Sequence, residues 1–283
     1  MKIETADWRN PFLVAAFGGW GDAASVATTA ASFLMQNRQS RRLGELDVEE
    51  YFVLTETRPL VRLDEAGQRR IQWPSLALLE GRGGERDAVI LVGPEPQLRW
   101  CRFAREIAEL WRERGQGGPV VLLGAFLAGI SHAAPVVLTG FATTPELRER
   151  LTSLGIQPSG YQGPTGVHSA LADLFREEGI PCLSIWAAVP HYLAALPNPK
   201  VCAALLRAVD QLLDLKLDLR ELDDAARTFE KQVGLAMTRA GQTLASTNNP
   251  EPAAPAEEAE PLPPAEEVVE GVEEFFRRNR PAS

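Results

Sequence analysis

Hydrophobic residues are spaced along this chain in two alternating rhythms. Short, nearly continuous apolar runs read as strands: PFLVAAF (11–17), VEEYFVLTE (48–56), AVILVG (88–93), PVVLLGAF (119–126), PVVLTGFA (135–142) and PCLSIWAAV (181–189). Runs of this kind suit strands covered on both faces. Between them lie stretches of helical period. In 97–114, Cys101, Ala104, Ile107, Ala108 and Trp111 share a face; in 166–178 it is Val167, Ala170, Leu171, Leu174 and Phe175. In 199–214 the face is Val201, Leu205, Val209, Leu212 and Leu213, and a further helix over about 219–240 carries Leu222, Ala226, Phe229, Val233 and Met237. Strands alternating with helices predict an α/β fold, a mainly parallel sheet with helices on both faces, spanning residues 1–240.

The pattern then changes. Residues 241–265 become rich in Pro, Glu and Ala, with few apolar side chains to offset the chain entropy of ordering. A disordered acidic linker is expected there. Beyond it, Val268, Val269, Val272, Phe275 and Phe276 recur at three- and four-residue spacing, which predicts a short amphipathic tail helix over 266–280. Those five side chains are its candidate docking face, toward its own domain, a neighbouring subunit or a partner.

Charge follows the same division. The net charge is −9, but from Thr247 to Ser283 there are nine Glu and three Arg, which leaves about −3 for the rest. No basic stripe appears, so nucleic acid is not an expected partner. No apolar run approaches the roughly 20 residues that span a bilayer, and MKIETADWRN lacks the apolar core of a secretory signal. No membrane association and a cytoplasmic location are expected. Cys101, Cys182 and Cys202 read as reduced core thiols, and with His132, His168 and His191 as the only histidines, no metal site is expected.

The chemically distinctive residues collect at predicted strand ends. These are Gly18-Gly19-Trp20-Gly21-Asp22, Glu56-Thr57-Arg58-Pro59, Gly93-Pro94-Glu95-Pro96, Ser131-His132, Tyr161-Gln162-Gly163-Pro164-Thr165-Gly166 and Pro190-His191-Tyr192. In a parallel sheet most would line the carboxyl edge, where open α/β sheets bind ligands. Trp20, Asp22, Arg58, Glu95, His132, Thr165, His191 and Tyr192 are therefore the candidate pocket or interaction patch.

Gly19-Trp20-Gly21-Asp22-Ala23-Ala24 fits a loose dinucleotide fingerprint, but the acid expected about 20 residues on is missing: Glu56 lies about 35 residues past Gly21. Asp22 fits better as the N-cap of a helix through Val26, Ala30, Phe33 and Leu34. There is no Walker loop and no nucleophile elbow, so no catalytic residue is assigned and no cofactor is expected. Trp20, Trp100 and Trp186 read as core residues, and His168 as a helix residue without a role.

As an ordered set, several motifs resemble the bacterial branch of the proteasome assembly chaperone 2 family. They are Gly19-Trp20-x-Asp22-Ala23, Arg58-Pro59, Pro94-Glu95-Pro96 with Trp100, Leu123-Gly124-Ala125, Tyr161-x-Gly163-Pro164-Thr165-Gly166, and Ser184-x-Trp186-Ala187-Ala188-x-Pro190-His191-Tyr192. The resemblance covers roughly residues 10–240. It implies a phosphorylase/hydrolase-like α/β fold, self-association into a homo-oligomer, and a chaperone-like or assembly role through protein contacts, with proteasome subunits as possible clients. Two departures stand out. Ala128 to Pro135 lacks the charged residues that flank Pro-His in bacterial relatives, and the ending Arg280-Pro281-Ala282-Ser283 lacks the hydrophobic-Tyr-x tail by which archaeal relatives dock. The alternative is a nucleoside- or phosphoester-directed enzyme or binder at the sheet edge, with Arg58 gripping an anion and Glu95, His132 or His191 moving protons. A third reading is a scaffold with a vestigial pocket.

Overall fold

A computed structural model describes residues 2–3, 7–36 and 38–248. The proposed linker from 249 onward and the tail residues Val268, Val269, Val272, Phe275 and Phe276 lie outside the described residues.

The strands are β1 (Lys2–Ile3), β2 (Phe12–Gly18), β3 (Gln39–Glu45), β4 (Leu60–Leu63), β5 (Arg69–Gln72), β6 (Ala77–Arg82), β7 (Ala88–Pro94), β8 (Val120–Ala128), β9 (Leu138–Ala142), β10 (Gln157–Pro158) and β11 (Cys182–Pro190). The helices are α1 (Val26–Phe33), α2 (Val48–Tyr51), α3 (Trp100–Arg114), α4 (Pro145–Ser153), α5 (Val167–Glu177), α6 (Pro199–Leu213) and α7 (Arg220–Asn248). Nine strands form one sheet in the order β1-β3-β6-β7-β2-β8-β11-β9-β10. Its centre, β7-β2-β8-β11, is parallel. The flanks add antiparallel pairings, β6 on β7 and β9 on β11.

Alternation along β2 shows why the centre reads as continuous apolar sequence. Phe12, Val14 and Ala16 enter one core, beneath α1 and α6. Leu13, Ala15 and Phe17 enter the other, beneath α3 and α5. Both cores are buried, so both parities must be apolar.

Three expectations are corrected, and a polar strand joins the sheet. Residues 48–56 form no strand: Asp47 accepts the Glu49 N–H at 3.0 Å and caps the single turn α2, with Glu49 and Glu50 suiting its positive end. Tyr51 and Phe52 are buried by packing beside α3 rather than by sheet pairing. The polar run QSRRLGE is strand β3, whose sole buried residue, Leu43, gives little periodic signal. Cys101 is exposed, because it lies in the first turn of α3, where the apolar stripe begins uncovered. Helix α7 continues to Asn248, eight residues past 240.

Helix α6 descends from the carboxyl edge of the parallel strands and α7 packs back along it. Leu222, Phe229 and Val233 are buried, whereas Leu235 and Met237 are exposed. At 1.5 Å per residue α7 is about twice as long as α6. Among the described residues no helix is long and apolar enough to cross a membrane.

Candidate functional site

The loop after β2 is built from its glycines and one acid. The Asp22 N–H bonds back to the Gly19 carbonyl at 3.2 Å, and the Ala125 N–H of β8 donates to Gly21 at 2.8 Å. The Asp22 side chain turns inward. It accepts the Ala27 N–H at 2.7 Å, the Thr28 N–H at 3.3 Å and the Thr28 hydroxyl at 2.5 Å. It thus caps α1 across two left-handed residues, Ala24 and Ser25, each at φ 53°. Such strain persists only where surrounding bonds fix it. Burial pushes the Asp22 carboxyl above its ordinary range, while the bonds from Thr28 and Ala27 pull it down. Trp20 stands at the tip, 62% exposed, not in the core.

Beside this loop, Glu95 follows β7 and reaches the start of α5. Its Oε1 accepts the Val167 N–H at 2.7 Å. Gly166 leaves room for this contact, since a Cβ there would crowd the oxygen and push the carboxylate aside. The helix end that would hold a substrate anion already holds this carboxylate. One residue into α5, His168 is buried between the Phe17 and Trp186 rings, and its Nε2–H donates to the Leu123 carbonyl at 2.8 Å. Burial lowers its pKa to about 4. Trp186 is half-buried, donates to Ser184 at 3.0 Å and covers Gly124 of the neighbouring strand. Sequence reasoning gave His168 no role; its position two residues past the Gly163-Pro164-Thr165-Gly166 turn was the available signal.

A second group lies where β8 and β11 end. Because β9 runs antiparallel to β11, the segment before it, with His132, returns to the same edge. The Tyr192 hydroxyl accepts the His132 backbone N–H at 2.8 Å and lies 2.9 Å from its Nδ1. His191 packs edge-on against Tyr192. Lys200 and Glu230, which sequence reasoning missed, complete a small cleft: Lys200 Nζ donates to the carbonyls of His132 and Ala134 and to Glu230 at 2.8 Å.

The structure therefore divides the candidate residues. Glu95 and Thr165, whose hydroxyl bonds Ser169, lie at the start of α5, and the adjoining loop after β2 carries Trp20 and Asp22, with Asp22 turned to the start of α1. His132, His191 and Tyr192 form the second group, and no hydrogen bond, ion pair or ring contact among the described residues joins the two. Arg58 is exposed on a separate turn, anchored through its neighbour Thr57, whose hydroxyl accepts from Gln97. Among the described residues no cluster of three metal-ligating side chains occurs.

What the edge does present is apolar surface. Trp20, Leu98, Phe126, Leu127, Tyr161 and Tyr192 are 37–63% exposed, each at a strand end or in a loop entering α3 or α5. This defines a class: an α/β-sheet protein whose carboxyl edge is closed internally by its polar groups and rimmed by exposed aromatic and aliphatic side chains.

The comparisons agree on the family. The model described as PAC2 family matches residues 16–237, and the chain belongs to that family. It is similar to a PAC2 family protein from Streptomyces avermitilis, with 36% identity, a TM-score of 0.71, and 80% of this chain and 95% of that one covered. It is also similar to a proteasome-assembly chaperone homologue from Mycobacterium tuberculosis, at 35% identity and a TM-score of 0.72, covering 79% and 94%. PbaB, an archaeal proteasome activator from Pyrococcus furiosus, is 16% identical with a TM-score of 0.64 over 84% of this chain and all of that one, which is a likeness of fold. No curated protein matches the chain.

Proposed function

We propose that this PAC2 family protein is a chaperone-like assembly factor that works through protein contacts in the cytoplasm, as a homo-oligomer, with proteasome components as the leading candidate clients. The observation that carries this reading is the exposed rim of Trp20, Leu98, Phe126, Leu127, Tyr161 and Tyr192 at one edge of the sheet. Exposed aromatic and large aliphatic side chains gathered at one end of a fold mark a protein-binding surface. The 35% identical relative named as a proteasome-assembly chaperone homologue supports the same class of partner. The tail residues Val268, Val269, Val272, Phe275 and Phe276 add a second contact, an apolar helix face laid into a groove of the client.

The geometry gives the nucleoside or phosphoester reading little to work with. Asp22 and Glu95 are spent on helix caps, His132 is bonded to Tyr192, and Arg58 is exposed without a hydrogen bond or ion pair to any of them.

The test is affinity purification of the full chain from its host, with bound proteins identified by mass spectrometry. Wild type is expected to retain one defined complex, and the Trp20→Ala, Tyr161→Ala double variant to lose it while its melting temperature holds. Retention by the double variant would remove the rim from the mechanism. Deletion of 264–283 tests the tail separately.

A further inference from the structure

The second, two-stranded sheet has the opposite character from the body. In the hairpin β4–β5, Leu60 pairs with Gln72, Val61 with Ile71, Arg62 with Arg70 and Leu63 with Arg69. Paired residues share a face and alternate residues change face. One face is polar and tied to itself: Arg62 donates to Gln72 at 2.7 Å and Arg70 pairs with Asp64 at 3.1 Å. The other carries Val61, Leu63 and Ile71, which are 55%, 69% and 58% exposed, beside Arg69. Trp73, just past the ladder, is 50% exposed. Every residue of both strands is exposed. An isolated two-stranded hairpin is marginal in water, so an apolar face of this kind gains stability only when covered.

A complementary surface lies at the root of the same hairpin. Trp73 borders a groove with Glu45, Asp47, Glu49, Glu50 and Arg102; Arg42 pairs with Glu45 and Arg99 and Arg102 pair with Glu50, so Asp47 and Glu49 are its acids without an ion pair among the described residues. The hairpin segment 58–72 carries Arg58, Arg62, Arg69 and Arg70 against Asp64 and Glu65. Among the described residues Arg58 and Arg69 have no polar partner. One molecule therefore displays both a basic, apolar arm and an acidic groove with an exposed indole.

We infer that copies of this chain associate by laying the Val61/Leu63/Ile71 face of one hairpin into the Glu45–Glu50/Trp73 groove of another, with Arg69 set against Glu49. This rests on the homo-oligomer in the proposed function and names the surface that makes it. The inference fits interface anatomy, in which apolar anchors sit inside a rim of opposite charges that set register.

The test is sedimentation velocity of the full chain over a concentration series. Wild type is expected to associate. The Val61→Glu, Ile71→Glu variant is expected to weaken association at least roughly tenfold, with the melting temperature of the dissociated chain unchanged because both positions are exposed. Leu60→Gln, on the polar face, should leave association intact. Arg69→Glu and Glu49→Arg should each weaken it, and mixing the two variants, or combining them in one chain, should restore it. A wild-type monomer would overturn the inference, as would an oligomer indifferent to the apolar-face substitutions. Loss of association on deleting 264–283, with Val61→Glu, Ile71→Glu having no effect, would assign the interface to the tail instead and also overturn it. Client capture keeps the two readings apart: a wild-type chain that stays monomeric yet captures its client through the Trp20/Tyr161 rim sinks the arm and leaves the client-binding reading standing.

Discussion

The loop after β2 and the hairpin β4–β5 invert each other. The loop is rich in glycine, tryptophan and acid, the marks of a ligand site, yet its polar groups are consumed by the protein. Asp22 holds α1, and at the neighbouring helix start Glu95 holds α5. The hairpin has unremarkable residues, yet its strands make no use of the body and leave an apolar face open. The contrast teaches that residue type marks where a backbone is difficult to build, while exposure marks where a partner can bind. Only the aromatic rim of the loop, led by Trp20, belongs to the second category.

Substitutions beneath the loop should cost stability, and those on the hairpin should not. The largest effect is expected at Gly124, where a Cβ would lie 2.5 Å from the Trp186 ring. Gly124→Ala should lose about 3 kcal/mol in urea unfolding, and a cost near zero would show that Trp186 is free to move. His168 should give a pH signature of similar size. Its imidazole must be neutral to stay buried, with a pKa of about 4 against 6.5 unfolded. Its contribution is complete above pH 6.5 and falls away as pH drops toward 4, by about 3 kcal/mol in all. His168→Gln should flatten that slope; an unchanged slope would place the acid sensitivity elsewhere.

Next, Asp22→Ala should cost about 2 kcal/mol by leaving the Ala27 N–H and the Thr28 hydroxyl unpaired. Asp22→Asn keeps an acceptor and should cost less. Since burial raises the Asp22 pKa, the Asn variant should gain on wild type as pH rises through the carboxyl titration. Glu95→Ala should cost about 1 kcal/mol through the lost cap on α5. If it instead raises client capture, the cap competes with the client for that helix end. The smallest effect is expected on the hairpin: Val61→Ser with Ile71→Ser should change the stability of the dissociated chain by less than about 0.5 kcal/mol. A larger loss would mean that the hairpin packs against its own body.

By itself the sequence determined the four central strands, because burial on both faces forces apolar residues at every position, and helices α3, α5 and α6, because one-sided burial leaves a 3.6-residue stripe. It also determined the Asp22 cap, which is local: donor and acceptor are five residues apart. The tertiary structure alone decided what depends on distant partners. Residues 48–56 carry the composition of a strand, but Asp47 and packing beside α3 make Val48–Tyr51 a helical turn. The polar strand β3 exists only because β6 offers it a ladder. The Pro145–Ser153 helix carried a local signal in Thr144-Pro145-Glu146, too weakly amphipathic to stand out beside the longer stripes. Whether Glu95 would face a ligand or a helix, whether Trp20 would be core or rim, and whether Val61 and Ile71 would be covered were questions of which surfaces meet across the fold. Hydrophobic periodicity records that a side chain needs cover; it does not record what supplies it.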